Sequence, residues 1–319
     1  MKNPLQKNRL ALWFFIIIII IIIIIIIFAS LSYLFVNYQK TTAMNSIKRD
    51  LQLLANEKAA QVNMFLEFQK EKAASLSSLT AFKEAALYPN DASKTEAAKN
   101  IIDDLKNSIP GMSILTEKGI VVVAELDLPG ADYSMVPVFP VTKSTTVYFS
   151  RYYDQIRKED YYAVGELIRD DQNKIIGVVA FDVELDKISD IMKETQNSET
   201  NEVYLIDEAG LLLSKSEYIG QDSKGGVLIQ EVKSDGANKC LEDLEKYGKP
   251  GYVEEHEEEV ASYLNYMGNA VYGAHAYAPV IGGCVIAEIS TDEISRFSLL
   301  GSIKKIFNKT EDEDTEEQQ

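Results

Sequence analysis

The residue types that do chemistry are few in this chain: two histidines and two cysteines in 319 residues. His256 lies in Val253-Glu-Glu-His256-Glu-Glu-Glu259, where carboxylates and an imidazole offer oxygen and nitrogen donors to a divalent cation. A block of like charges is more simply a solvated acidic loop or strand start, and no metal site is assigned. His275 stands between Ala274 and Ala276 in a strand-like stretch, as a core or surface residue rather than a catalyst. The chain has no Gly-x-Ser-x-Gly elbow, no phosphate-binding glycine loop and no carboxylate pair at a recognisable spacing. No catalytic residue and no cofactor are therefore assigned, and the chain is not read as an enzyme.

Cys240 and Cys284 form no CxxC motif and no cluster with histidine, which argues against a structural zinc site. Outside the cytoplasm the two can pair, tying a short helix to the last strand. Two buried thiols are the alternative. Geometry decides, because bonded cysteines need Cα atoms within about 7 Å. The net charge of -17 excludes nucleic-acid binding, which needs a basic face to neutralise phosphates.

Several elements must position whatever site exists. Residues 1–9 form a short basic N-terminus, and residues 10–36 are almost unbroken apolar sequence with twelve consecutive isoleucines, Ile16 to Ile27. That run exceeds the roughly 20 residues a membrane span needs. Trp13, Tyr33 and Tyr38 near its ends suit the interface. The run is too long for a cleaved signal peptide, so it is read as an uncleaved anchor. Lys2, Lys7 and Arg9 lie closer to it than Lys40, Lys48 and Arg49, which favours a cytoplasmic N-terminus and an extracytoplasmic domain, single-pass, at the cell membrane.

Residues 37–109 read as a helical stalk and spine. Asn37 to Leu87 lacks proline, and Leu51, Leu54, Ala55, Val62, Phe65, Leu66 and Phe68 recur at helical spacing, as a core or coiled-coil stripe. A short helix follows over residues 93–108. From Pro110 strand signals dominate. Hairpins are expected around Glu117-Lys118-Gly119 and around Asp170 to Lys174, with a strand over Ser144 to Tyr153 and strands Tyr161 to Arg169 and Ile175 to Leu185. A helix near Asp186 to Thr195 closes a first module, residues 110–195. The pattern restarts in residues 196–296: a hairpin from Val203 to Ser214, a short helix from Cys240 to Tyr247, and three antiparallel strands, Val260 to Tyr266, Ala270 to Ala278 and Cys284 to Ile289. Residues 297–319 form an acidic tail expected to be disordered. The fold class is thus α/β (α+β): an N-terminal transmembrane helix and long helix, then two modules of repeated architecture with antiparallel sheets.

Three segments carry a family resemblance. Lys174-Ile-Ile-Gly-Val-Val-Ala-Phe-Asp-Val-Glu-Leu185 resembles the segment that closes the membrane-distal module of double Cache (dCache) sensor domains. Val203-Tyr-Leu-Ile-Asp-Glu-Ala-Gly-Leu-Leu-Leu-Ser214 resembles the hairpin that opens their membrane-proximal module. Ile286-Ala-Glu-Ile-Ser-Thr-Asp-Glu293 resembles their exit toward the membrane. The resemblance spans about residues 37–296 and implies two PAS-like modules, with extracytoplasmic sensing of a small molecule in the distal one. In relatives that bind amino acids, an Arg-x-Trp-Tyr group holds the ligand carboxylate, and a Tyr-x-Asp with a later Asp holds its amine. Tyr152-Tyr153-Asp154 and Asp182 match the second half. Val136-Pro-Val-Phe139 replaces the first, which points to an amine or other cationic or polar ligand. The ligand set implied is Tyr133, Tyr148, Tyr152, Asp154 and Asp182. Carboxylates and aromatic rings suit an ammonium group through charge-assisted hydrogen bonds and cation–π contacts.

The expected function is a membrane-anchored Cache-type sensor without its own output domain, working through a signalling partner protein and as a homodimer along the long helix. A structural or adhesive surface protein, or the truncated sensor part of a histidine kinase or chemoreceptor, is the alternative.

Overall fold

The computed structural model describes residues 4–144, 147–154, 159–193, 201–216, 219, 225–247 and 260–294; at 4–21, 40, 141, 144, 147–154, 159 and 201 it describes the backbone alone. The acidic run 253–259 and the tail 297–319 lie outside the described residues. Leu51–Thr291 forms one compact unit, and the residues up to Asp50 belong to another.

Helix α1 runs from Pro4 to Ser77. Its residues from Ile22 to Val36 are exposed, and it is long and apolar enough to cross a membrane. Hydroxyls in and beyond this stretch bond back to the helix, Ser30 to Ile26 O and Thr41 to Asn37 O, so they add little unsatisfied polarity. Within the compact unit, Leu51, Ala55, Ala59, Val62, Leu66, Gln69, Ala73 and Leu76 are buried, a stripe at spacings of three and four that faces the core. Phe68 departs from the expected stripe. It is 57% exposed, with the Lys72 ammonium 5.3 Å from its ring centroid. One more correction concerns length: α1 ends at Ser77, and a separate helix α2, Thr80–Leu87, follows. The hydroxyls of Ser75, Ser77 and Ser78 return to carbonyls of the last turns, and such bonds compete with the helical ladder. Helix α3, Ala92–Leu105, starts at Asp91, whose carboxylate accepts from the Ser93 and Lys94 N–H groups, a side-chain N-cap.

The first sheet contains β1 Ser113–Thr116, β2 Val121–Ala124, β3 Val147–Asp154, β4 Glu159–Arg169 and β5 Ile175–Glu184. Its order is β2-β1-β5-β4-β3, antiparallel throughout. β5 is buried from Ile176 to Val183, as expected of a central strand covered on both faces. Helix α4, Val138–Ser144, lies on β4. It occupies the start of a stretch read from sequence as strand, so β3 begins only at Val147. Pro140 falls in its first turn, where its missing N–H costs no helical bond. Helix α5, Asp186–Lys193, follows β5.

The second sheet contains β6 Asn201–Ile206, β7 Ala261–Leu264, β8 Ala270–Ala278 and β9 Gly283–Ser290, in the order β6-β9-β8-β7. Each sheet thus pairs the first strand of its module with the last, next to an antiparallel meander. The expected strand at Leu211–Ser214 is reduced to isolated bridges, Ile206↔Leu212 and Leu211↔Glu231. Its backbone donors are divided between two partners: Leu213 N–H goes to Leu205 O and Leu212 N–H to Gln230 O. Helix α6, Asp235–Tyr247, packs on β8 and β9. It begins five residues before the expected start because Ser234 caps it, its Oγ accepting from Ala237 N–H at 3.2 Å. Cys240 on α6 and Cys284 on β9 are joined in a disulfide with Cα atoms 6.3 Å apart.

Candidate functional site

The first module offers one face of its sheet to α4 and the preceding loop. Val138 of α4 packs with Ala163 and Ala180 there, and the Tyr133 ring covers them from the loop. Gly165 makes the approach of α4 possible, since a Cβ at that position would run into Thr142 and Val138. Asp182 shares this face. It follows Ala180 by two residues and sits directly opposite Ala163, and opposed residues point to the same side of an antiparallel pair.

Asp182 is 7% exposed. Its N–H donates to Pro110 O at 2.8 Å, and its carboxylate lies against Gly111, which has φ +66°. Gly111 N–H in turn donates to Glu125 Oε2 at 2.7 Å. The Pro110-Gly111 turn therefore holds the end of β5 and fixes the acid against it. The left-handed φ and the absent side chain both require glycine here.

The other sequence candidates converge on the same face through strand register. Position 152 opposes Tyr161, position 148 opposes Gly165 and position 154 opposes Glu159, while Ala163 on that parity opposes Asp182. The pleat thus brings the backbone stations of Tyr148, Tyr152, Asp154 and Asp182 to one side of the sheet. The side chains of Tyr148, Tyr152 and Asp154 lie outside the described residues. Tyr133 is half-buried, and its hydroxyl donates to Asp127 Oδ2 at 2.5 Å, toward the rim. A cavity of about 660 Å³ lies elsewhere, lined by Leu87, Pro89, Thr116, Val122, Pro129 and Lys174 among others, and none of the five candidates borders it.

Residues 39–303 match the Cache domain family model in its double form, dCache. The chain belongs to that family. The same fold occurs in solved sensor domains. The sensory domain of the Campylobacter jejuni chemoreceptor Tlp3 superposes with a TM-score of 0.58 at 14% identity, covering 81% of this chain and 99% of that one. The sensor domain of the V. cholerae histidine kinase DctB gives 0.54 at 8% identity over 77% and 98%. The ligand-binding domain of the Pseudomonas aeruginosa chemoreceptor PctC, in complex with GABA, gives 0.55 at 16% over 76% and 100%. At these identities the likeness establishes the fold. No curated protein matches the sequence. The match makes this a sensory, ligand-binding type of domain.

The second Cache module carries a polar cluster at the corresponding face of its own sheet, which sequence reasoning missed. Glu202 on β6 and Glu288 on β9 are directly opposed and are 1% and 2% exposed. Tyr204 and Tyr263 hydroxyls both donate to Glu288 Oε1 at 2.8 Å. Tyr266 donates to Glu202 Oε2 at 2.8 Å, and Ser216 donates to its Oε1. Burial, then the Glu288 charge, push the Tyr204 and Tyr263 hydroxyls well above the usual tyrosine range, so both remain neutral donors. The available signal was a carboxylate at an inward-facing parity in each of two apolar strands, Glu202 before Val203-Tyr-Leu-Ile206 and Glu288 within Val285-Ile-Ala-Glu-Ile289.

His275, on β8 of the same face, is buried with its Nε2 3.7 Å from Asp243 Oδ2 of α6. That separation is too long for a hydrogen bond. Burial holds its imidazole below the usual histidine range, against the opposing pull of Asp243. It is a buried core histidine.

Proposed function

We propose that the chain is a membrane-anchored, extracytoplasmic small-molecule sensor whose first Cache module, the membrane-distal one, binds a cationic or polar ligand. The observation that carries this is Asp182: a carboxylate buried against the Pro110-Gly111 turn, on the sheet face that Tyr133 covers in part and to which register also assigns residues 148, 152 and 154. An ammonium group placed there gains charge-assisted hydrogen bonds and aromatic contact. Amino acids and GABA occupy the related chemoreceptor domains named in their structures, which supports an amine-bearing ligand here.

Helix α1 anchors the sensor, with its N-terminus in the cytoplasm. The outward-facing Leu53, Met64 and Phe68 support a homodimer along this helix, and the signal passes to a partner protein through it.

The test is a thermal-shift screen of the full chain in detergent micelles against amines, amino acids and small carboxylates. Binding to the native state alone raises the melting temperature, by about 2.7 kcal/mol of stabilisation at a hundredfold excess over Kd. An amine should produce that rise in the wild type and not in Asp182→Ala or Asp154→Ala. A ligand shift that survives both substitutions would remove the pocket from this face.

A further inference from the structure

The second module buries an acid without any ion pair to it among the described residues. Glu288 has two hydrogen-bond donors, Tyr204 and Tyr263, and both bond the same oxygen, Oε1. Its Oε2 and the Nδ2 of Asn265 are both buried without a close hydrogen bond, and the Asn265 amide faces the carboxylate as a weaker third donor to its ionised form. Asn265 itself is fixed: its Oδ1 accepts from Met267 and Asn269 N–H groups at 3.0 Å each.

The groups facing Glu288 come from every element around it. β6 supplies Tyr204 and the carboxylate of Glu202, directly opposed. β7 supplies Tyr263, with Asp235 of α6 close to that hydroxyl. The β7–β8 turn supplies Asn265 and Tyr266, the latter bonded to Glu202. β8 supplies Gly273 directly opposite, with His275 two residues on. The charges beside His275 are Asp243 and Lys239 of α6, which pair with each other at 2.8 Å. Glu288 is thus surrounded by hydroxyls, an amide and acids. A carboxylate in such a place is stabilised by taking up a proton, because burial and nearby like charge both disfavour its ionised form.

We propose that Glu288 is a proton-binding site of the second module, and that this module senses pH independently of the ligand pocket in the first. Protonation removes a charge from the position opposite Glu202, and like charges directly opposed across a strand pair are destabilising. The transition falls in a physiological range: burial first, with Glu202 adding to it, lifts the Glu288 carboxyl to about 7 against the pull of Tyr204, Tyr263 and Asn265.

The experiment is infrared difference spectroscopy of the full chain in detergent micelles, titrated from about pH 5.5 to about pH 8. The carbonyl band of a protonated, buried carboxylic acid should disappear with a midpoint near 7. That band should be missing in Glu288→Gln. In Tyr263→Phe, which removes one donor to the ionised form, the midpoint should move to higher pH, and this variant decides the matter if Glu288→Gln does not fold. Asp182→Ala should leave the titration unchanged, which separates the proton site from the ligand pocket. A midpoint in the ordinary carboxylate range, or one that Tyr263→Phe leaves in place, would overturn the proposal.

Discussion

Two single residues show how the backbone around each site is fixed by side-chain identity. Gly111 combines φ +66° with contact against Asp182. Gly111→Ala should therefore cost about 1–3 kcal/mol, read as a lower denaturant midpoint, and should blunt any ligand response that depends on Asp182. Asp207 is fully buried, and its Oδ1 accepts from Ala209 and Leu211 N–H groups at 2.8 Å each. Asp207→Ala strands both donors and should lose about 1–3 kcal/mol by chemical denaturation, with Asp207→Asn losing less. The second of these roles was legible in the sequence, because an acid three residues before a glycine between apolar runs is a turn with a mechanism. The setting of Asp182 was not. Its clamp comes from Pro110-Gly111, some seventy positions earlier in the chain, and no local pattern links the two. The Tyr133–Asp127 hydrogen bond was equally invisible, since loop side chains find partners through the path of the loop.

Elements were legible where periodicity was strong and composition agreed with it. The strands β4, β5, β8 and β9 fall within a residue or two of their expected limits, because long apolar runs bounded by turn residues admit one reading. Helix α4 was hidden by Pro137 and Pro140, which read as loop until their place at and before a helix start is known. The break between α1 and α2 has neither proline nor glycine to announce it. Between elements, Lys58 makes a connection that no periodicity reveals. It is fully buried on α1, and its ammonium donates to Ile191 O in the last turn of α5 and to Gln61 Oε1 at 3.3 Å. A cation on the C-terminal carbonyls of a helix also complements the helix dipole. The α5 helix leads from the first sheet toward the second, so Lys58 ties the spine to the connection between modules. Lys58→Met keeps the volume and loses the cap. It should destabilise the domain by about 1–3 kcal/mol in urea unfolding, while Lys58→Arg should recover part of that.

For the whole molecule, two features set how stability responds to conditions. The Cys240–Cys284 disulfide joins residues 44 apart, and in the chain-entropy model such a loop contributes roughly 4 kcal/mol at most. Reductant, or Cys240→Ser with Cys284→Ser, should therefore lower the melting temperature clearly. The pH dependence follows from two groups of opposite sign in the second module. Glu288 has its carboxyl raised from 4.5 to about 7, so the folded state holds a proton that the unfolded chain has released. Its stabilising effect is fully present below about 4.5 and is lost as pH rises through about 7, a change on the order of 3 kcal/mol. His275 is held below 6.5 by burial. Its neutral form is favoured on folding, so stability is full above 6.5 and declines as pH falls through the lowered value. The wild type should gain stability as pH falls from about 8 toward about 6.5, and then gain less as His275 subtracts. Glu288→Gln should remove the rise that begins near 7, while the decline through His275 remains and the buried Glu166, also raised by burial, adds its own gain only at lower pH. His275→Asn should do the reverse and let the Glu288 gain continue to lower pH. Urea unfolding of the three proteins across this range measures both slopes. Identical curves for wild type and Glu288→Gln would mean that the buried acid of the second module does not bind its proton on folding.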